Sequence, residues 1–168
     1  ITTRLVGSEM CIRDSPASIT VDSLGSWTDF VGDEYKAFSG TAVYTTTINK
    51  VPVADVIKLD LGSVAENASV YLNGDYIGTV IDSPYQLYIL AEKFKGQDEL
   101  VVRVANSMAN RIAYMDKKGV DWKIFYNVNM SARKKENVKN GIFDASDWEP
   151  KSSGLLGPVT LTPAMVKQ

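Results

Sequence analysis

The sequence predicts an all-β domain, an antiparallel β-sandwich with at most one or two short helices. Three observations carry that expectation: many short runs of period-two alternation rich in Val, Ile, Thr and Tyr, turn residues between those runs, and an Asn-Gly pair, Asn73-Gly74, at the centre of the best-patterned stretch. Asn-Gly between β-branched arms is the strongest short-range hairpin signal, because both turn residues take positive φ. Asn tolerates that conformation and Gly has no Cβ to clash.

Before the turn, Ala68, Val70 and Leu72 alternate with Ser69 and Tyr71. After it, Ile77, Thr79 and Ile81 alternate with Tyr76, Gly78 and Val80. Ile57, Leu59 and Leu61 form a third in-phase set just upstream, and the three runs together predict a consecutive antiparallel meander. Earlier in the chain, Phe38 to Asn49 reads as a long strand with Ala42, Tyr44, Thr46 and Ile48 on one face, ended by Pro52. Later, Tyr85, Leu87 and Ile89 form one inward set and Leu100, Val102 and Val104 another, with one helical turn at Ala91–Phe94 between them. Met108 to Lys118 fits a short helix stopped by Gly119. The run from Asp121 to Tyr126 reads as a strand or a packed loop, and Ala132 to Asn140 as a solvated basic excursion. Val159 and Leu161 mark a last strand. Pairing it with Ile19–Val21 would close one sheet in a jelly-roll-like arrangement.

Length and charge exclude several function classes. The chain has 168 residues, 45% hydrophobic and 23% charged, enough for one domain with a core. Net charge is -2, so no basic field exists to hold nucleic acid. No apolar run approaches the ~20 residues of a membrane helix. One Cys and no His leave no intrachain disulfide, Cys/His zinc site or His-based triad.

Residues 1–16 show no sustained period and are expected to lie outside the fold, as a non-native or disordered leader, with a native edge strand plus turn as the alternative. Ser8-Glu-Met-Cys-Ile-Arg-Asp-Ser15 resembles translated sequencing-adapter segments found at the ends of metagenomic reading frames, so Cys11 is given no chemical role. The domain is expected to span residues 17–163, with 164–168 as a tail.

Several motifs agree on one kind of protein. Phe38-Ser-Gly-Thr-Ala, Leu59-Asp-Leu-Gly62, Val70-Tyr-Leu-Asn-Gly74 and Ser83-Pro-Tyr85 resemble the galactose-binding-like jelly roll known as the sugar-binding domain of family 2 glycosidases. Val104-Ala-Asn-Ser-Met-Ala-Asn-Arg-Ile112, Gly119-Val-Asp-Trp122, Phe143-Asp-Ala-Ser-Asp-Trp148 and Ser153-Gly-Leu-Leu-Gly-Pro-Val159 are most similar to the C-terminal β-sandwich of glycoside hydrolase family 106, the α-L-rhamnosidases. The resemblance implies an accessory domain whose catalytic carboxylates and calcium sit on a separate barrel. It also favours a periplasmic or extracellular setting.

Chemistry within the chain is sparse. Glycoside hydrolysis needs two carboxylates flanking one bond. Most acids here, such as Asp33, Asp75, Asp82 and Asp98, fall in turns, where Asp bonds nearby backbone. Asp29, Asp33 and Glu34 lack EF-hand spacing, so no cofactor is expected, and a structural calcium stays open only through the resemblance. A saccharide site would set an aromatic face among polar groups. Trp27, Trp122, Tyr126 and Trp148 are the aromatic candidates, with Asn110, Arg111 and Asp144 as polar partners. Arg111 also suits a bidentate interdomain contact with a carboxylate. The expected partners are the missing catalytic domain of the same polypeptide and an oligo- or polysaccharide, with no nucleic acid and no membrane. The competing expectations are an independent carbohydrate-binding module and a sandwich that serves only structure or protein interaction.

Overall fold

The computed structural model describes residues 2–7, 18–124 and 134–164. Its strands are β1 Thr2–Gly7, β2 Ile19–Thr20, β3 Gly40–Ile48, β4 Val56–Asp60, β5 Ser63–Ala65, β6 Asn67–Leu72 and β7 Asp75–Val80. They continue with β8 Gln86–Leu90, β9 Asp98–Ala105, β10 Val138–Lys139, β11 Ile142–Phe143, β12 Gly154–Gly157 and β13 Thr160–Ala164. Two short helices, α1 Asp33–Lys36 and α2 Ala109–Lys117, complete it with a few 3-10 turns, one of them at Ala91–Lys93.

A six-stranded sheet runs β2-β1-β3-β9-β6-β7, and a three-stranded sheet runs β13-β4-β8. The pair β12-β5 and the small hairpin β10-β11 are separate. All strand pairs are antiparallel. The alternation read from sequence sets the core. Ala42, Tyr44, Ala68, Val70, Leu72, Leu100, Val102 and Val104 bury the inner face of the large sheet. Ile57, Leu59, Val64, Ile89 and Leu155 bury strands of the other sheets, so this is a sandwich with apolar faces turned inward.

The Asn73-Gly74 turn joins β6 to β7 with φ of 52° and 87°, the primed geometry expected for this dipeptide. Asn73 does more than turn the chain. Its N–H donates to the Glu99 carbonyl (2.8 Å), its Oδ1 accepts from the Glu99 N–H (3.0 Å), and its Nδ2 donates to Asp98 (2.7 Å). The hairpin is therefore latched to β9, its neighbour in the sheet.

Several expectations are corrected. β4 does not join the hairpin in a meander; it crosses to the opposite sheet, between β13 and β8. Alternation fixes which side of a strand is buried and carries no information on which sheet it enters. Along β7, Val80 is buried and Ile81, beyond its end, is 77% exposed, because a register shift at Val70/Tyr71 moves the pairing by one residue. β2 pairs with β1, and Val159–Leu161 runs into β13 beside β4, so the expected closure between the chain's two end strands is not made. Thr2–Gly7, expected outside the fold, pairs along β3 from Thr45 to Gly40. The edge of β3 offers backbone donors and acceptors that any extended segment can satisfy, whatever its side chains. Val138–Lys139, placed in a solvated excursion, instead forms a hairpin with β11 through Asn140 (φ 52°) and Gly141 (φ 80°).

Two glycine motifs meet at the sandwich end. Gly62 (φ 67°) bridges Gly157 (φ 70°), and a Cβ on Gly62 would lie 2.5 Å from the Gly157 backbone. A Cβ on Gly154 (φ 116°) would lie 2.4 Å from the Tyr44 hydroxyl. These contacts require glycine at both motifs.

Candidate functional site

Helix α2 leaves β9 through Asn106 and lies over one end of the sandwich, against the segment that leads into β12. Asn106 Oδ1 accepts from the Gly40 N–H (2.9 Å), and its Nδ2 donates to the Phe38 carbonyl (3.0 Å) and to Ser153 Oγ (3.1 Å). In the first turn of the helix, Asn110 is 5% exposed. Its Nδ2 donates to the Lys151 carbonyl (2.9 Å) and its Oδ1 accepts from the Lys151 N–H (2.8 Å). Ser153 is also buried; its N–H donates to Ser26 Oγ (2.9 Å) and its carbonyl accepts from the Trp27 N–H (3.0 Å). This polar hub pins residues 151–153 between the helix and the sheets, with its buried groups satisfied by one another.

Below α2 lies a satellite cluster in which Phe143 and Ala145 are buried against Ile112, Trp122 and Trp148. Asp116 organises it. Its side chain is 1% exposed and accepts from Trp122 Nε1 (2.7 Å), Lys123 Nζ (2.6 Å) and the Ala145 N–H (2.8 Å). Trp148 Nε1 donates to Asn137 Oδ1 (2.9 Å), and its ring meets Phe143 edge to face at 5.8 Å.

A groove follows the helix. On one side is a cavity of about 350 Å³ lined by Asp33, Glu34, Phe38, Ser39, Arg111 and Tyr114. Next to it, a cavity of about 520 Å³ shares Asp33 and Tyr114 and extends past Lys117 and Lys118 to Trp148. A third, of about 400 Å³, shares Trp148 and reaches Asn137 and Lys134. The Tyr114 ring is flanked by two cations, Arg111 Cζ at 5.9 Å and Lys118 Nζ at 5.5 Å. Lys118 also pairs with Asp33 at 3.5 Å, an exposed contact worth little by itself.

The candidate residues separate accordingly. Arg111 and Trp148 line this groove, and Asn110 reaches two of its cavities while its amide is committed to Lys151. Trp122 and Asp144 serve the satellite cluster and its turn. Trp27 is a correction: it is 0% exposed and packs edge to face on Phe38 at 5.6 Å, so it offers no ring face to a saccharide. An aromatic rich in apolar area buries readily, and sequence alone does not separate a core Trp from a surface one. Tyr126 lies outside the described residues. Sequence reasoning missed Tyr114, Lys118 and Asp116; the i, i+3 and i+7 spacing of Arg111, Tyr114 and Lys118 was the available signal.

Among the described residues, two carboxylates have displaced pKa values, and both are lowered. At Asp144 the Ser146 hydroxyl contributes most, against burial, with the Ser146 N–H and Lys139 assisting. At Asp98 burial works to raise the pKa, but bonds from Asn73 and from the Lys95 and Gly96 N–H groups, with the Lys95 charge, outweigh it. A general acid of a glycosidase needs the opposite direction. Among the described residues, no group of three or more His, Cys, Asp or Glu gathers to hold a metal, and no helix is long and apolar enough to cross a membrane.

In fold and motif this is a sugar-binding-type β-sandwich of the kind that glycosidases carry. The chain is similar to a rhamnosidase from Novosphingobium sp. PP1Y, with a TM-score of 0.74 and 28% identity over 95% of this chain and 14% of that one. It is 34% identical over 158 residues to a protein of Formosa agariphila described as "Putative beta-glucuronidase", covering 85% of this chain and 14% of that protein. A Ruminococcus gnavus β-glucuronidase shares the fold at a TM-score of 0.50 and 20% identity, over 62% of this chain and 19% of that one. The chain thus spans about one seventh of the length of its first two relatives. No family model matches it. Its matches are to glycosidase chains of which it covers only a small part.

Proposed function

We propose that the chain is a noncatalytic accessory β-sandwich of a large α-L-rhamnosidase-like glycoside hydrolase, with the α2 groove facing the catalytic domain of the same polypeptide. One observation carries the reading: 95% of this chain corresponds to 14% of the Novosphingobium rhamnosidase, a single module of a much longer enzyme. The lowered carboxylates Asp98 and Asp144 support it, since both are held ionised by structural partners. Arg111 provides a guanidinium beside Tyr114 at the groove's edge, suited to a carboxylate across an interdomain boundary.

Two measurements test this. The isolated chain should not hydrolyse aryl α-L-rhamnosides or aryl β-glucuronides; turnover abolished by a single carboxylate substitution in this chain would overturn the noncatalytic role. Source DNA upstream of this reading frame should encode a catalytic barrel in frame, and a start codon immediately before the β-sandwich would defeat the accessory-domain reading.

A further inference from the structure

The outer face of the large sheet carries a second, separate depression of about 620 Å³, lined by Thr41, Val43, Asn67, Ser69, Tyr71, Arg103 and Ala105. Strand register explains its shape. Thr41, Ala105 and Asn67 lie side by side across β3, β9 and β6. Val43, Arg103, Ser69 and Thr79 form the next row, and Thr45, Val101, Tyr71 and Tyr76 the row after it. The methyl of Ala105 leaves low ground between Thr41 and Asn67, while Arg103 and Tyr71 rise beside it.

Arg103 is the chemical centre. Its guanidinium lies 4.8 Å over the Tyr71 ring and, among the described residues, meets no carboxylate. Tyr71 is held in turn by an edge-to-face contact with Tyr76 at 5.5 Å, and the Tyr76 hydroxyl bonds Thr79, which also bonds Ser69. The cation is thus stacked on the sheet with, among the described residues, no counter-charge paired to it. A planar guanidinium in that state matches a carboxylate bidentately. Around it stand the hydroxyls of Thr41 and Ser69 and the amide of Asn67, groups that bond to sugar hydroxyls. The volume falls within the range of small-ligand sites.

We infer that this face binds an acidic saccharide, a hexuronic acid residue whose carboxylate pairs with Arg103 while its hydroxyls meet Asn67, Ser69 and Thr41. The inference deepens the glycosidase-domain reading and rests on it for the choice of a sugar. The test is independent of catalysis. Calorimetric titration of the full chain with a galacturonate trisaccharide should show binding, and the fully methyl-esterified trisaccharide should bind about tenfold or more weakly, the loss expected for a hydrogen-bonded charge pair. Arg103→Gln should weaken the acid by a similar factor. Ala105→Leu, which fills the low ground, should weaken acid and ester together. Arg103 is exposed, so the thermal midpoint of Arg103→Gln should match the parent chain and show that the fold is kept. Absence of binding at millimolar acid, equal affinity for acid and ester, or full affinity in Arg103→Gln would overturn the site. A preference for a sulfated over a carboxylated oligosaccharide would overturn the uronate assignment. None of these outcomes bears on whether an in-frame catalytic domain exists.

Discussion

The Asn110 side-chain amide closes both backbone groups of Lys151, donating to its carbonyl at 2.9 Å and accepting from its N–H at 2.8 Å. A helix and a loop forty-one positions apart are thereby joined as two strands would be. Replacing Asn110 by Ala leaves the Lys151 N–H without its acceptor and the Lys151 carbonyl with Ser153 Oγ (3.1 Å) alone as donor. The expected cost is about 1–3 kcal/mol, dominated by the N–H left without an acceptor. Urea unfolding would read it as a lower midpoint, and an unchanged midpoint would show that the loop holds without the helix.

Asp116 is predicted to be the keystone of the satellite cluster. Asp116→Ala strips Trp122 Nε1 and the Ala145 N–H of an acceptor and leaves Lys123 without its carboxylate. Breaking a buried charged contact of this kind costs about 3–5 kcal/mol. The loss should fall on the cluster first, shown by a red shift of tryptophan emission at denaturant concentrations where far-UV dichroism is still native. Coincident transitions would instead mean that the cluster and sandwich unfold as one unit.

Asp98 should make stability depend on acid. Its folded-state pKa lies below the unfolded value, so its contribution is present above about pH 4 and is lost as pH falls through the folded value. Asp98→Asn should therefore be less stable than the parent chain at neutral pH, with the gap narrowing at pH 3. A gap that stays constant between those two pH values would show that the charge of Asp98 is not what the latch uses.

The crossing of Gly62 and Gly157 gives a steric prediction. Gly62→Ala sets a Cβ 2.5 Å from the Gly157 backbone at φ 67° and should lower stability by more than about 1 kcal/mol. Gly74→Ala is the comparison: it also has positive φ, but a Cβ there meets nothing within 4 Å. The ordering of the two thermal midpoints checks the argument, and a smaller fall for Gly62→Ala would refute it.

Sandwich class and core residues were legible because period-two alternation reports burial directly; Leu59, Val70 and Val102 each lie where their phase placed them. Sheet membership was not, because β4 and β6 carry the same pattern on opposite sheets. Of the candidates named from sequence, Arg111 and Trp148 line the groove along α2, where residue type and position had put them forward. Asn110 was found for the wrong reason: a buried amide clamp and a ligand contact use the same residue, and only the backbone of Lys151 distinguishes them. Arg103 was passed over because its place beside Val43 and Ser69 arises from three strands meeting in register.

The chain contains two Asn-Gly turns of nearly equal backbone geometry, Asn73-Gly74 and Asn140-Gly141, and the latch on the first gives them unequal chemical lifetimes. Spontaneous deamidation requires the following backbone nitrogen to attack the asparagine amide carbon and expel ammonia. Asn73 has both ends of its amide tied, to Asp98 and to Glu99, whereas Asn140 is exposed in its small hairpin. On storage, peptide mapping should find aspartate and isoaspartate accumulating at position 140 well before position 73, so the same dipeptide would serve as a durable joint in one place and a slow clock in the other.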